Sequence, residues 1–138
     1  MKVGYTTGVF DLFHVGHVTL LKNAKSLCDK LVVGVTIDEL VSYKGKSSVI
    51  PFIERVEVVN ACRYVDTAIP QRSINKIDAI KKLKADILFV GDDWYQNEKW
   101  VKMENELKYF NCEVIYLPYH QGTSSTLINQ TLEKLRNH

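Results

Sequence analysis

Long apolar runs and an excess of one charge are both missing from this sequence of 138 residues. No stretch approaches the ~20 consecutive apolar residues that a membrane-spanning helix needs, and residues 1–5 lead into a strand pattern rather than a signal peptide. Lys and Arg number 18 against 16 Asp and Glu, so the formal net charge is only +2. Proteins that coat nucleic acids usually carry a much larger basic excess. We therefore expect a cytoplasmic protein with neither a membrane nor a nucleic acid as its partner.

Cysteine is also scarce, and the three present (Cys28, Cys62 and Cys112) are isolated, with no C-x-x-C pair. This pattern argues against a disulfide framework and predicts reduced thiols. The sequence has no internal repeat, no low-complexity tract and no Pro- or Gly-rich linker. We expect residues 1–138 to form one domain.

Short apolar runs alternate with segments of helical period along the whole sequence. This alternation predicts an α/β fold, namely a single Rossmann-like, doubly wound domain with a five-stranded parallel sheet and right-handed crossovers. A loop is expected over residues 38–50, with at most one helical turn at its start. Pro51 is expected at the first position of the next helix, and Ser73 as the cap of the one after. The predicted strands are 3–7, 31–37, 65–69, 86–90 and 113–117, and the predicted helices are 18–28, 51–62, 74–83, 98–110 and 124–136.

Ligands of such sheets bind beyond the carboxyl ends of the strands, where the strand order reverses. The segment after the first predicted strand holds two glycines, Gly8 and Gly16, and two histidines, His14 and His17. Gly8 suits a tight exit from the strand, and Gly16 leaves room for a ligand at the start of a helix, where N–H groups favour phosphate. Both imidazoles can then approach one phosphate and stabilise charge that develops on it.

Two other readings of the histidine pair are open. One residue could lie in the core while the other caps the helix, or both could bind a metal ion. A metal site lacks the i,i+4 helical spacing here, and no third ligand is obvious.

The run from Thr6 to His17, T-x-G-x-F-D-x-x-H-x-G-H, resembles the signature of the HxGH nucleotidyltransferase superfamily. The segment R-Y-V-D at 63–66 resembles a motif of glycerol-3-phosphate and choline-phosphate cytidylyltransferases, and G-D-D-W at 91–94 resembles the bacterial glycerol-3-phosphate branch. Lys44 and Lys46 precede Arg55, and Arg55 precedes Arg63, at the spacing of that branch. The resemblance extends from Gly4 to the last predicted helix.

The resemblance implies three groups of site residues. A catalytic role is implied for His14, His17, Lys44, Lys46 and Arg63. The acceptor phosphate is expected to contact Lys44, Lys46, Arg55, Arg63 and Asp66. Arg55 and Arg63 are expected to share a helix face, and Asp11 is expected to hold its loop by accepting backbone N–H bonds. Nucleotide binding is implied for Thr7, Gly8, Val9, Phe10, Asp11, Gly16, Gly91, Asp92, Asp93, Trp94, Tyr119, His120, Gly122, Thr123, Ser124, Ser125 and Thr126.

The segment from 119 to 126 departs from the family pattern R-T-x-G-I-S-T-[ST]. The arginine is replaced by Tyr119, beside which His120 can supply part of the charge. Gly122 and the hydroxyl residues that follow it are retained, and they suit phosphate binding at a helix start. A serine-rich version also occurs in adenylyltransferases, so this segment leaves the choice of nucleotide open.

By this resemblance, the expected reaction joins CMP from CTP to a phosphorylated small alcohol and releases pyrophosphate. The acceptor is expected to be glycerol 3-phosphate, which gives CDP-glycerol for cell-envelope polymers such as teichoic acid. Mg²⁺ is expected on the nucleotide phosphates rather than in a cluster of protein ligands, and the protein is expected to be a homodimer. The alternatives are an adenylyltransferase that uses ATP with another phosphorylated acceptor, or a nucleotide-binding module without catalysis.

Overall fold

A computed structural model describes residues 1–43, 47–91, 98–118 and 125–136. Strands and helices alternate along the chain, and all five strands are parallel. The prediction of an α/β fold with a five-stranded parallel sheet is confirmed. The strands are β1 (Val3–Gly8), β2 (Lys30–Thr36), β3 (Thr67–Gln71), β4 (Ile87–Gly91) and β5 (Glu113–Leu117). The helices are α1 (Val15–Ser26), α2 (Asp38–Tyr43), α3 (Phe52–Ala61), α4 (Ile77–Leu83), α5 (Glu98–Lys108) and α6 (Ser125–Arg136).

Several boundaries differ from those predicted, each for a local reason. Helix α1 begins three residues early because the ring of His14 caps it. Helix α2 occupies part of the predicted loop. Pro51 is the N-cap of α3 rather than its first residue. The predicted cap at Ser73 is wrong, since α4 begins only after Lys76, whose side chain makes no capping bond.

The apolar residues form one layer on each face of the sheet. On one face, Leu21 of α1 and Val59 of α3 pack with Val33 and Phe89 of the central strands. On the other, Ile80 of α4 and Leu107 of α5 pack with Tyr5 and other strand residues. The alternation of side chains along buried parallel strands supplies both layers. In the part of the chain described, no helix is long and apolar enough to cross a membrane.

The strand order is β3-β2-β1-β4-β5, which makes β3 and β5 the two edges of the sheet. Edge strand β3 contains Pro70, aligned with Val35 of β2. Proline has no N–H to donate, and within sheets it is largely confined to edge strands.

The strand order reverses between β1 and β4, which lie side by side at the centre of the sheet. The hydroxyl of Thr6 joins the two strands near their carboxyl ends by donating to the carbonyl oxygen of Phe89 at 3.1 Å. The crevice beyond these ends is where ligands of doubly wound sheets bind. The loop from β1 to α1, which carries both histidines, opens from this point.

Candidate functional site

The loop between β1 and α1 contains two residues, Phe10 and Leu12, with left-handed backbone angles (φ of 53° and 50°). Such a conformation costs roughly 1–2 kcal/mol for a residue other than glycine. Phe10 is nonetheless buried in the core, 4% exposed, with its ring over Gly8. A Cβ atom on Gly8 would lie 2.8 Å from that ring. Gly8 therefore provides room for Phe10 as well as ending the strand.

His14 and His17 lie at the start of α1, and the ring of each accepts a hydrogen bond from a backbone N–H group there. Nδ1 of His14 accepts from the backbone N–H of Gly16 at 3.0 Å. Nδ1 of His17 accepts from the backbone N–H of His14 at 3.2 Å. The two ring centroids are 4.0 Å apart. The helix cap and the two imidazoles thus form one unit at the positive end of α1.

His17 lies between two phenylalanine rings. Its ring centroid is 5.3 Å from that of Phe10, edge-on, and 5.3 Å from that of Phe13, stacked. Burial, together with the nearby His14, lowers the pKa of His17 to about 4, and Asp11 acts in the opposite direction. His17 is therefore neutral at pH 7. Because Nδ1 accepts a hydrogen bond in each ring, a neutral ring carries its proton on Nε2.

Asp11 is buried, 8% exposed, and accepts two backbone N–H groups from a distant part of the chain. Its carboxylate oxygens lie 2.8 Å from the nitrogen of Val49 and 2.9 Å from that of Ile50. The carboxylate thus holds the β1–α1 loop against the segment that contains Val49 and Ile50. This bonding is of the kind expected from its sequence position, although the partners are far away in sequence.

Arg55 lies at the same end of the sheet, but its guanidinium points into the protein. The side chain is 1% exposed and makes four hydrogen bonds. The prediction that it binds the acceptor phosphate is corrected, because these bonds engage all three guanidinium nitrogens. The shared face with Arg63 is also wrong, since α3 ends at Ala61 and Cys62 has an extended backbone.

Asp66 lies at the amino ends of the strands, the opposite end of the sheet from the histidines. Its carboxylate accepts from the backbone N–H of Leu31 at 2.7 Å and from Nζ of Lys25 at 2.7 Å. Leu31 is near the amino end of β2, and the strand from there to Thr36 spans about 17 Å. The expected acceptor role of Asp66 is therefore corrected. Arg63 precedes Asp66 by three residues and is not brought beside His14 within this chain. Its side chain is exposed, and its guanidinium carbon lies 5.2 Å from the centroid of the Tyr64 ring.

A pocket of about 200 Å³ lies across the carboxyl ends of the first four strands. Four of the predicted nucleotide-binding residues, Thr7, Gly8, Val9 and Gly91, line it. Sequence reasoning missed several others, among them Thr36, Gln71, Lys76 and Trp100. Thr36 and Gln71 bond to each other at 2.6 Å, and Nζ of Lys76 lies 4.6 Å from the centroid of the Trp100 ring. Ligands of such sheets bind at the carboxyl ends of the strands, so Gln71 would have been expected here had β3 been predicted to end at that residue.

Much of the predicted nucleotide site falls outside the described residues, and Ser125 and Thr126 are described only as backbone at the start of α6. Gly16 is buried in the first turn of α1, where its N–H bonds His14. Among the residues described, no three His, Cys, Asp or Glu side chains are grouped as a metal site. The predictions outside the described residues are Lys44, Lys46, Asp92, Asp93, Trp94, Tyr119, His120, Gly122, Thr123 and Ser124.

Comparison with known proteins gives a family and two kinds of relative. Residues 5–131 match the family model described as cytidylyltransferase-like. The FAD synthase of Archaeoglobus fulgidus is 37% identical over 132 residues, which cover 93% of this chain and 96% of that protein. The glycerol-3-phosphate cytidylyltransferase of Bacillus spizizenii is 38% identical over 136 residues, 98% of this chain and all of that protein. The crystal structure of a lipopolysaccharide core biosynthesis protein from Thermoplasma volcanium matches with a TM-score of 0.74 at 26% identity, covering 89% of this chain and 99% of that one.

Proposed function

Because the chain belongs to the cytidylyltransferase-like family, we propose that it transfers CMP from CTP to glycerol 3-phosphate and releases pyrophosphate. One observation carries the proposal: two imidazoles lie 4.0 Å apart at the positive end of α1, and each accepts a backbone hydrogen bond at Nδ1, so that a neutral ring carries its proton on Nε2. Two such donors suit one phosphate group. The sheet supplies the crevice in which a nucleotide would lie.

In the proposed reaction an oxygen of the acceptor phosphate attacks the α-phosphorus of CTP in line. A new P–O bond forms while the bond from the α-phosphorus to the bridging oxygen breaks, and pyrophosphate leaves with that electron pair. The attacking oxygen is already an anion, so no protein base is needed. Nε2–H groups of His14 and His17 donate to the α-phosphate and to the leaving oxygen as charge develops. Mg²⁺ enters with the nucleotide, as part of the substrate.

The remaining parts of the proposed site come from the family resemblance. Residues 91–94 would contact the cytosine, and residues 119–126 the triphosphate. Lys44 and Lys46 would bind the acceptor phosphate as cations. We further propose that residues 1–138 work as one catalytic domain within a cytoplasmic homodimer and that CDP-glycerol serves cell-envelope polymers.

A second candidate is adenylyl transfer from ATP, and the relative named as an FAD synthase favours it. FAD consists of AMP joined to a phosphorylated flavin, so that acceptor would carry a three-ring system. The segments R-Y-V-D at 63–66 and G-D-D-W at 91–94 resemble motifs of glycerol-3-phosphate cytidylyltransferases, and they favour the first candidate.

The two candidates are separated by measuring pyrophosphate release with each of the four nucleoside triphosphates. Each is paired with glycerol 3-phosphate, with flavin mononucleotide, and with other phosphorylated alcohols. We expect turnover with CTP and glycerol 3-phosphate, and a product with the mass of CDP-glycerol. Preference for ATP and the flavin would replace the first candidate by the second. Nucleotide binding without turnover on any acceptor would instead favour a binding module.

A further inference from the structure

Arg55 is a buried cation whose hydrogen bonds join three separate segments of the chain. The acceptors are the carbonyl oxygens of Val9 (2.7 Å), Thr36 (2.8 Å) and Ile50 (2.8 Å) and Oδ1 of Asp38 (2.7 Å). Val9 belongs to the histidine loop, Thr36 and Asp38 to the end of β2 and the start of α2, and Ile50 to the segment before α3. A guanidinium can serve four acceptors in one plane because its donors diverge in a fixed fork.

Asp38 continues this network towards residues 44–46. Its carboxylate accepts from the backbone N–H of Phe52 at 3.0 Å and from the hydroxyl of Ser48 at 3.1 Å, as well as from Arg55. The Phe52 amide and the Arg55 guanidinium hold the pKa of Asp38 below its usual value. The carboxylate is therefore ionised at pH 7. It joins the start of α2, which precedes residues 44–46, to the segment that follows them.

The histidine loop is held by the same network from its other side. Arg55 bonds the carbonyl oxygen of Val9, and Asp11 accepts the N–H groups of Val49 and Ile50. Between Val9 and Asp11 lies Phe10, whose strained backbone places its ring 5.3 Å from that of His17. A constraint on both neighbours of Phe10 is what keeps such a backbone in place.

We infer that Arg55 is a positioning residue, which sets the histidine loop and both ends of segment 44–46 in one fixed relation. The inference rests on the proposed function, in which His14 and His17 bind the nucleotide while Lys44 and Lys46 bind the acceptor. Arg55 itself would touch neither substrate. Its effect is geometric, and misplacement of a reacting group by about 1 Å can cost a hundredfold in rate.

The test compares Arg55→Lys and Asp38→Asn with the wild-type protein, and two of its measurements need no substrate. An ammonium group is a single point and cannot reach all four acceptors of the guanidinium. We therefore expect amide hydrogen exchange at Val49 and Ile50 to become about tenfold faster or more, because local opening sets the rate there. The amide of Val33 in β2 is the internal reference for global unfolding. The second measurement is NMR of the His17 ring, whose signals should shift as Phe10 loosens.

The third measurement is kinetic. With CTP and glycerol 3-phosphate, Arg55→Lys should raise the KM for the acceptor and lower kcat, each roughly ten- to a hundredfold. Lys25→Gln is the matched control, since it removes a different ion pair, Lys25–Asp66, at the amino ends of the strands. This control should change none of the three measurements.

Two results would overturn the inference. One is folded Arg55→Lys or Asp38→Asn protein in which Val49 and Ile50 exchange no faster, relative to Val33, than in wild type. The other is faster exchange with kinetics like those of wild type. If Arg55→Lys does not fold, Asp38→Asn decides, because the Asp38 side chain is 46% exposed. Failure of the proposed function would show differently, as wild-type protein without turnover, and the exchange and ring measurements would still report on the loops.

Discussion

The backbone N–H of His14 donates to Nδ1 of His17 at 3.2 Å, so His14 fixes the orientation of the His17 ring. Nδ1 of His14 in turn accepts from the N–H of Gly16, one residue before His17. Both rings therefore take part in capping the start of the helix, and the same hydrogen bonds orient their Nε2 atoms. A helix-capping reading and a catalytic reading of the pair are compatible in this structure, and substitutions can separate them.

His14→Asn separates capping from catalysis. Asparagine is a good N-cap because its side-chain oxygen can accept from the N–H of Gly16, so the free energy of unfolding should change by less than about 1 kcal/mol. The ring donor is lost, and removal of one such donor typically lowers kcat by roughly 10²–10³-fold. Steady-state pyrophosphate release and urea unfolding measure the two effects. Full activity in a stable His14→Asn protein would mean that the ring serves only as a cap.

The acid sensitivity of His17 gives a second prediction. Burial keeps it neutral to about pH 4, whereas its usual pKa is 6.5. Unfolding therefore takes up a proton between these values, and the free energy of unfolding should fall as pH drops from about 6.5 to about 4. Above pH 6.5 His17 is neutral in both the folded and the unfolded state, so this loss of stability is absent. NMR titration of the His17 ring and urea unfolding across this range are the measurements.

His17→Gln is the control for the acid effect. It should remove the fall in stability between pH 6.5 and 4. Asp38 and Asp66 act in a separate range, because their pKa values lie below 3.8, so their contributions are lost only under more acid conditions. An unchanged slope in His17→Gln would assign the acid effect to another group.

Gly8→Ala should damage both stability and activity. The new Cβ would lie 2.8 Å from the Phe10 ring, so this ring, 5.3 Å from that of His17, must shift. Overpacking of this kind costs about 1–3 kcal/mol. Gly4→Ala is the matched control on the same strand, since its Cβ would meet Phe89 at 2.5 Å and Cys28 at 2.9 Å, away from the histidines. At equal loss of stability, only Gly8→Ala should lower kcat. Equal kcat values in the two proteins would refute a role for the Phe10 ring in placing His17.

Asp66→Asn should leave catalysis unchanged. The substitution removes an ion pair whose side chains are 30% and 38% exposed, and such pairs contribute about 0–1 kcal/mol. The hydrogen bond from Leu31 can persist to the amide oxygen. Thermal unfolding should therefore show a small loss of stability, with an unchanged KM for the acceptor. A raised KM would instead support the original prediction that Asp66 contacts the acceptor.

The sequence was sufficient for the fold and for the position of the histidine loop. Alternating periods predicted five parallel strands, and the paired histidines after the first strand marked the crevice at the strand reversal. These features depend on local periodicity and on chain order, both of which are legible in one sequence. Strand β5, Glu113–Leu117, was predicted to the residue.

Long-range polar pairing was not predictable in the same way. Arg55 has a basic side chain at a spacing typical of a substrate ligand, yet it bonds to Val9, Thr36 and Ile50 inside the protein. Asp66 likewise bonds to Leu31, 35 residues earlier in the chain. Such partners are set by the packing of whole elements. A charged residue in a motif therefore does not reveal whether its charge faces a ligand or the interior.

Pro70 in the outer strand β3 bears on how copies of this protein can meet. A neighbouring molecule that extended the sheet would need a continuous row of N–H donors along that strand, and Pro70 interrupts the row. Fibril-like stacking through this edge is disfavoured for that reason.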